Sequence, residues 1–191
     1  MRFVVLCILM LAPVTARSEP LTALAPHVYA CAFDVRTSDV RGASGFGFNF
    51  SYRIGGGHWQ ALGEVGIGEL RSEGMWLGPY ARGQIGARFL AATLSTTRNY
   101  AADFVLDGGG GAERDWLDGV IDIDRPYIFG GWGMQLRFPS RRSLEVMLRI
   151  VVSPPLDNQV ALRTICRGTC TGSDAPPADV GIDILLGVAA W

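Results

Sequence analysis

Hydrophobic and polar residues alternate along most of the chain with a period of two, the period at which successive side chains of a β-strand point to opposite faces. The clearest stretch is ASGFGFNFSYRI, residues 43 to 54. Phe46, Phe48, Phe50 and Tyr52 share one parity there, and Gly45, Gly47, Asn49, Ser51 and Arg53 share the other. The same reading predicts further strands near 27–36, 58–69, 76–90, 98–106, 126–138, 143–152 and 179–191, eight in all. Charges respect the alternation. Asp34 agrees with Arg36, Arg82 with Arg88, and Glu145 with Arg149, while Arg53, Glu64 and Arg137 each oppose an apolar face. A strand with one apolar face and one charged face belongs to a sheet whose two sides meet different surroundings.

The connections sort by length. RIGGGH (53–58) and FPSRRS (138–143) read as tight turns, whereas 107–125 and 153–178 read as long loops rich in Gly, Pro and Asp. In a simple antiparallel meander both tight turns fall on the side of the N-terminus and both long loops on the other. Short turns on one side and long loops on the other are the pattern of an outer-membrane β-barrel.

The chain begins with Met1 and Arg2, the ten-residue apolar run FVVLCILMLA, and then Pro13 and the small-residue triplet Val14, Thr15 and Ala16. Such a run is too short to span a bilayer and reads as a secretory signal peptide cleaved after Ala16. The expected organisation is a signal peptide at 1–16, a short lead at 17–26 and one β-barrel domain at 27–191. All 17 basic residues are Arg, set against 18 acidic residues. Without the signal peptide the balance is slightly acidic, which argues against nucleic acid as a partner.

The chain ends on VGIDILLGVAAW, residues 180–191. Eight antiparallel strands, a signal peptide, the asymmetry of the connections and a terminal aromatic together resemble the small OmpA-like and OmpX-like bacterial outer-membrane barrels. The resemblance covers residues 27–191 and is architectural, without a family-specific motif. It implies an all-β, eight-stranded, antiparallel up-and-down transmembrane β-barrel in the outer membrane, with the lipid bilayer as partner. It also implies that the assembly machinery recognises the C-terminal strand through Trp191. The family pattern sends alternate residues back from the terminus towards lipid, which here are Ala189, Gly187, Leu185 and Asp183. A lipid-facing Asp183 departs from that pattern and implies either a place at the interface or a bulge near Gly187.

An eight-stranded barrel leaves an interior just wide enough for side chains to fill. The inward parity collects Arg53, Glu64, Arg82, Gln84, Arg88, Asp103, Arg137, Glu145 and Arg149 as a paired polar network. Arg exceeds acid on this set, so some guanidinium groups are expected to meet carbonyls, water, Tyr80 or Asp183. A plugged lumen or a narrow water path follows. Tyr52, Trp59, Phe138 and Trp191 fall at turn-side strand ends, where interfacial aromatics belong.

Other chemistry is sparse. The mature chain has only His27 and His58, neither beside a serine along a strand, which gives little footing to a hydrolase built on a histidine base. DGGGGAERDWLDGVIDID (107–124) clusters Asp107, Glu113, Asp115, Asp118, Asp122 and Asp124 without the EF-hand spacing. It reads as a solvated acidic loop, and no metal or cofactor is expected. Of the exported cysteines, Cys166 and Cys170 are close enough in CRGTC to form a disulfide, which leaves Cys31 unpaired as a small apolar strand residue. The function expected is a structural or interaction barrel acting through outward loops 107–125 and 153–178, not an enzyme. The alternatives are an exported soluble barrel that binds an apolar ligand on an inward Phe46, Phe48 and Phe50 face, and a lipid-modifying outer-membrane enzyme.

Overall fold

A computed structural model describes residues 27–38, 43–72, 75–116, 122–154 and 179–191. The expected signal peptide and lead, 1–26, lie outside the described residues, as do 155–178 with Cys166 and Cys170. Eight strands follow in chain order: β1 His27–Ser38, β2 Ala43–Gly56, β3 Trp59–Ser72, β4 Met75–Thr96, β5 Ala101–Trp116, β6 Asp122–Phe138, β7 Arg142–Ser153 and β8 Asp179–Ala190. Each pairs antiparallel with the next. β1 then pairs with β8, from Tyr29 opposite Ala190 to Ser38 opposite Gly181, which closes the barrel and leaves no free edge.

The turns on the side of both termini are held by local chemistry. Gly55 and Gly57 adopt positive φ values of 123° and 67° between β2 and β3. A Cβ on Gly55 would lie 2.7 Å from the Trp59 carbonyl oxygen, so glycine is required there. Between β4 and β5 the Thr97 hydroxyl accepts from the backbone N–H groups of Asn99 and Tyr100, at 3.3 and 3.2 Å. Arg141, at φ 58°, donates its backbone N–H to Phe138 O and accepts from the N–H of Trp191, both at 3.2 Å.

The structure corrects the stretch expected as loop 107–125. β5 continues to Trp116 and β6 begins at Asp122, so only 117–121 lies between these strands. The four glycines at 108–111 looked like loop chemistry, yet they belong to β5, where the neighbouring backbone comes close. A Cβ on Gly109 would sit 2.1 Å from Ile85 O, one on Gly111 2.2 Å from Gly83 O, and one on Gly86 2.3 Å from Gly108 O. Glycine is the residue that tolerates such close backbone approach at a barrel corner. β4 likewise runs to 22 residues, with register shifts at Leu90/Ala92 and Thr93/Ser95 that absorb extra length. The connections at 39–42, 73–74 and 117–121 are therefore short, and 155–178 alone keeps the length expected of an outward loop.

Candidate functional site

The barrel is polar inside and apolar outside. The nine residues expected in the lumen, Arg53, Glu64, Arg82, Gln84, Arg88, Asp103, Arg137, Glu145 and Arg149, are all buried, none more than 6% exposed. With Arg125, Asp107, Glu113, Asp115 and Asp183, they bring the buried set to six guanidinium groups and seven carboxylates among the described residues. Asp107, Glu113 and Asp115 come from the segment taken for a loop. Its acids continue the inward parity of Asp103 and Val105, which is the signal that could have found them. They supply the carboxylates that the sequence reading lacked.

The pairing is extensive. Arg53 donates both terminal nitrogens to Glu145, Nη1 to Oε1 at 2.6 Å and Nη2 to Oε2 at 2.7 Å. Arg88 joins the same carboxylate at 2.9 Å and reaches Asp107 at 3.5 Å. Arg149 spans Asp107, at 2.6 Å, and Glu64, also at 2.6 Å, with its guanidinium 4.9 Å from the centre of the Phe129 ring. Gln84 donates to Glu64 and accepts from the Tyr127 hydroxyl at 2.7 Å. Gln135 donates to Glu145 at 3.1 Å and to the Ser143 hydroxyl at 3.0 Å.

Three smaller clusters flank this chain. Arg137 binds Asp103 at 2.5 Å, and Thr93 Oγ1 donates to the same carboxylate at 2.8 Å. Arg125 bridges Glu113 at 2.7 Å and Asp115 at 3.2 Å. Arg82 binds Asp183 at 2.5 Å and Asn49 Oδ1 at 3.2 Å. Charges so buried are tolerated only when paired and hydrogen-bonded.

Packing completes the plug. Leu90, Val105, Met147 and Leu185 form one buried apolar cluster, and Leu62, Tyr127, Phe129 and Val151 form another. Inward glycines lie beneath the long side chains. A Cβ on Gly68 would meet the Tyr80 ring at 2.6 Å, one on Gly66 the Arg82 Cγ at 3.0 Å, and one on Gly131 the Arg149 Cγ at 2.6 Å. Glycine opposite arginine or tyrosine is thus a size match across a narrow lumen.

The outer wall is the reverse. Val65, Ile67, Ile85, Ile128, Val146 and Leu186 are 43 to 75% exposed. Charge on the described outer wall is confined to strand ends. Glu69 pairs with Arg71 at 3.3 Å, and Arg114 pairs with Asp124, on the loop side, while Arg142 lies on the turn side. Tyr52 and Trp59 are outward at turn-side ends, Trp59 packed against Phe89 with the rings tilted by 39° and their centres 4.5 Å apart, and Phe138 ends β6 on the outward parity. The Phe46, Phe48 and Phe50 parity faces outward, opposite to the apolar-ligand barrel considered above.

Trp191 is placed differently from the expectation. The outward set of β8 is Val180, Ile182, Ile184 and Leu186, whereas Asp183, Leu185 and Ala189 are buried inside. Asp183 therefore needs neither an interfacial place nor a bulge. Trp191 is half-buried and packs on Ala189 with Ala30, at the turn-side mouth of the lumen. Cys31 also departs from the reading as an unpaired residue. It is disulfide-bonded, and since every other cysteine lies outside the described residues, so does its partner.

The chemical candidates separate in space. Asp107, Glu113 and Asp115 face Arg partners inside, whereas Asp124 faces Arg114 outside. Among the described residues no group of three or more His, Cys, Asp or Glu side chains is placed to hold a metal ion. His58 lies on the turn-side rim, its Nδ1 3.4 Å from Leu90 O and its ring beside Phe89.

No protein-family model and no characterised protein matches the sequence. Solved structures do match the fold. The chain is similar to Neisserial surface protein A (NspA), with 14% identity and a TM-score of 0.52 over 86% of this chain and 95% of the other. It is also similar to Ail, the attachment invasion locus protein of Yersinia pestis, with 14% identity and a TM-score of 0.47 over 87% of this chain and 99% of the other. At this identity the likeness to NspA shows a shared fold alone, and the chain itself forms a small, closed, eight-stranded antiparallel barrel.

Proposed function

We propose that this protein is an outer-membrane β-barrel with a side-chain-filled lumen and a structural or interaction role, exported by the signal peptide at 1–16. The observation that carries the proposal is the inverted polarity, with ion pairs buried inside and aliphatic side chains exposed outside. A soluble barrel arranged this way would present its apolar wall to water, well beyond the few hundred Å² that soluble monomers expose as one patch.

The dimensions agree. The outward positions from Leu144 to Val152 of β7 and from Pro126 to Phe138 of β6 carry no charge. At about 3.3 Å per residue and a tilt of about 40°, these runs cover roughly 20 to 30 Å along the axis, which matches the apolar band of about 25 Å of a membrane barrel. A lumen this full favours a plug over a diffusion pore. The reading of the C-terminal strand as the signal to the assembly machinery belongs to the same proposal, with Trp191 at the lumen mouth. With 107–125 largely in strands, a partner-binding role of the outward side falls to 155–178.

The test is cell fractionation combined with gel mobility before and after heating in detergent. The protein is expected in the outer-membrane fraction, with a mobility shift on heating because a closed barrel resists unfolding. Recovery of all the material in the soluble periplasmic fraction would overturn the proposal.

A further inference from the structure

Among the described residues the lumen holds a cavity of about 10 Å³, bordered on its polar side by Asn49, Arg53, Arg88, Arg149, Glu64 and Glu145. Three of these residues carry a buried nitrogen that has no hydrogen-bond partner: Nε of Arg53, Nε of Arg88 and Nδ2 of Asn49. All three residues are at least 97% buried, so bulk water does not satisfy them.

The neighbouring acceptors are already engaged. Glu145 receives Arg53 twice, Arg88 and Gln135, while Glu64 receives Arg149 twice and Gln84. Asn49 Oδ1 accepts from Arg82, which turns the Nδ2 side of the amide away from that arginine. What remains unmet on the polar residues that border the cavity is a set of donors, beside the Ser51 hydroxyl and an apolar side formed by Ala30, Ala32, Met147 and Leu185. Unmade buried hydrogen bonds are costly, so such a set calls for an acceptor.

We infer that this cavity is a binding site for a single halide ion, chloride in the cell, held by Arg53, Arg88 and Asn49. Charge favours an anion over a cation, because the cavity is bordered by three guanidinium groups and two carboxylates. Asp107, the further counter-ion of Arg88 and Arg149, is not on its border. Size restricts the anion to one atom, since about 10 Å³ admits the centre of one water-sized body and excludes phosphate, sulfate and carboxylates. Directionality favours a halide over water. A water molecule accepts two hydrogen bonds and brings two donors of its own into a space already rich in donors, whereas a halide accepts from all three nitrogens and donates nothing. The ion enters while the barrel closes, because the finished lumen has no wide path.

The experiment uses the full mature chain refolded from urea into detergent micelles, in sodium bromide or in sodium gluconate at equal ionic strength. Crystals of the bromide form, measured at the bromine absorption edge, are expected to show one anomalous peak within hydrogen-bond distance of Arg53 and Arg88. Asn49→Asp keeps the acceptor for Arg82 but replaces the free donor by a carboxylate oxygen, and it is expected to abolish the peak while the barrel still closes. In urea titrations with bromide about a hundredfold above its dissociation constant, the wild-type folded-to-unfolded ratio should rise about a hundredfold over gluconate, and that of Asn49→Asp should not. Ordered water without anomalous signal at the cavity, or equal bromide stabilisation of both proteins, would overturn the assignment. Should Asn49→Asp fail to close, the wild-type bromide map decides alone.

Discussion

Removing Glu145 is the most informative perturbation of the lumen. Its carboxylate receives two bonds from Arg53 at 2.6 and 2.7 Å, one from Arg88 at 2.9 Å and one from Gln135 at 3.1 Å. Glu145→Leu leaves two guanidinium groups buried with their shared counter-ion gone. Arg53 then loses its close carboxylate partner, and Arg88 keeps only the longer contact to Asp107. Breaking a buried pair from one side costs about 3 to 5 kcal/mol, because the orphaned charge stays desolvated. That corresponds to roughly two to four orders of magnitude in the folding equilibrium. The control is Asp124→Asn, which breaks an ion pair whose side chains are 49% and 63% exposed, where solvent screening leaves only a small loss to be expected. The assay is urea-dependent folding into lipid vesicles, followed by tryptophan fluorescence and by the heat-dependent gel shift. A loss for Glu145→Leu no larger than that for Asp124→Asn would refute the account of the lumen as a tightly coupled ion network.

Three further outcomes are expected. Leu148→Arg and Phe48→Arg, both outward and away from strand ends, should each cost about 2 to 4 kcal/mol of folding in lipid, whereas Ile54→Arg at the turn-side end should cost about 0 to 1; equal effects in the vesicle titration would mean that the wall does not face a bilayer. Gly109→Ala places a Cβ 2.1 Å from Ile85 O and should destabilise the barrel by about 1 to 3 kcal/mol, while Gly130→Ala, with nothing within 4 Å, should be near neutral in the same titration. Deleting Trp191 should lower the amount of barrel assembled in cells more than it lowers refolding in pure lipid, and Trp191→Phe should preserve assembly; normal assembly after the deletion would remove the recognition role.

Much of the candidate site was legible because an inward position in a narrow barrel is polar for a local reason that parity records. Arg53, Glu64, Arg82, Arg88, Glu145 and Arg149 could be collected without knowing a single contact. Asp107, Glu113, Asp115 and Arg125 were missed because tetraglycine has low strand propensity and dense charge resembles a solvated loop. Their alternation, Asp107, Gly109, Gly111, Glu113, Asp115, was nonetheless the same period-two signal. The orientation of Trp191 was misread for a different reason: a shift of one residue in register reverses every side chain of a strand. The inward Asp183, paired with Arg82, decides that register.

By itself the sequence determined the class of fold and the sorting of side chains into two faces, since period two and the position of charges are properties of each strand alone. It could not say which carboxylate meets which guanidinium, because partners such as Arg82 and Asp183, or Arg53 and Glu145, are 101 and 92 residues apart and meet only across the closed lumen. Nor could it explain why Gly86, Gly109 and Gly111 must be glycine, which depends on how closely the neighbouring backbone approaches once the sheet has curled. Closure by β1 against β8 is the step that turns eight locally specified strands into one interior. Only within that interior do burial, pairing and the donor-lined cavity have meaning.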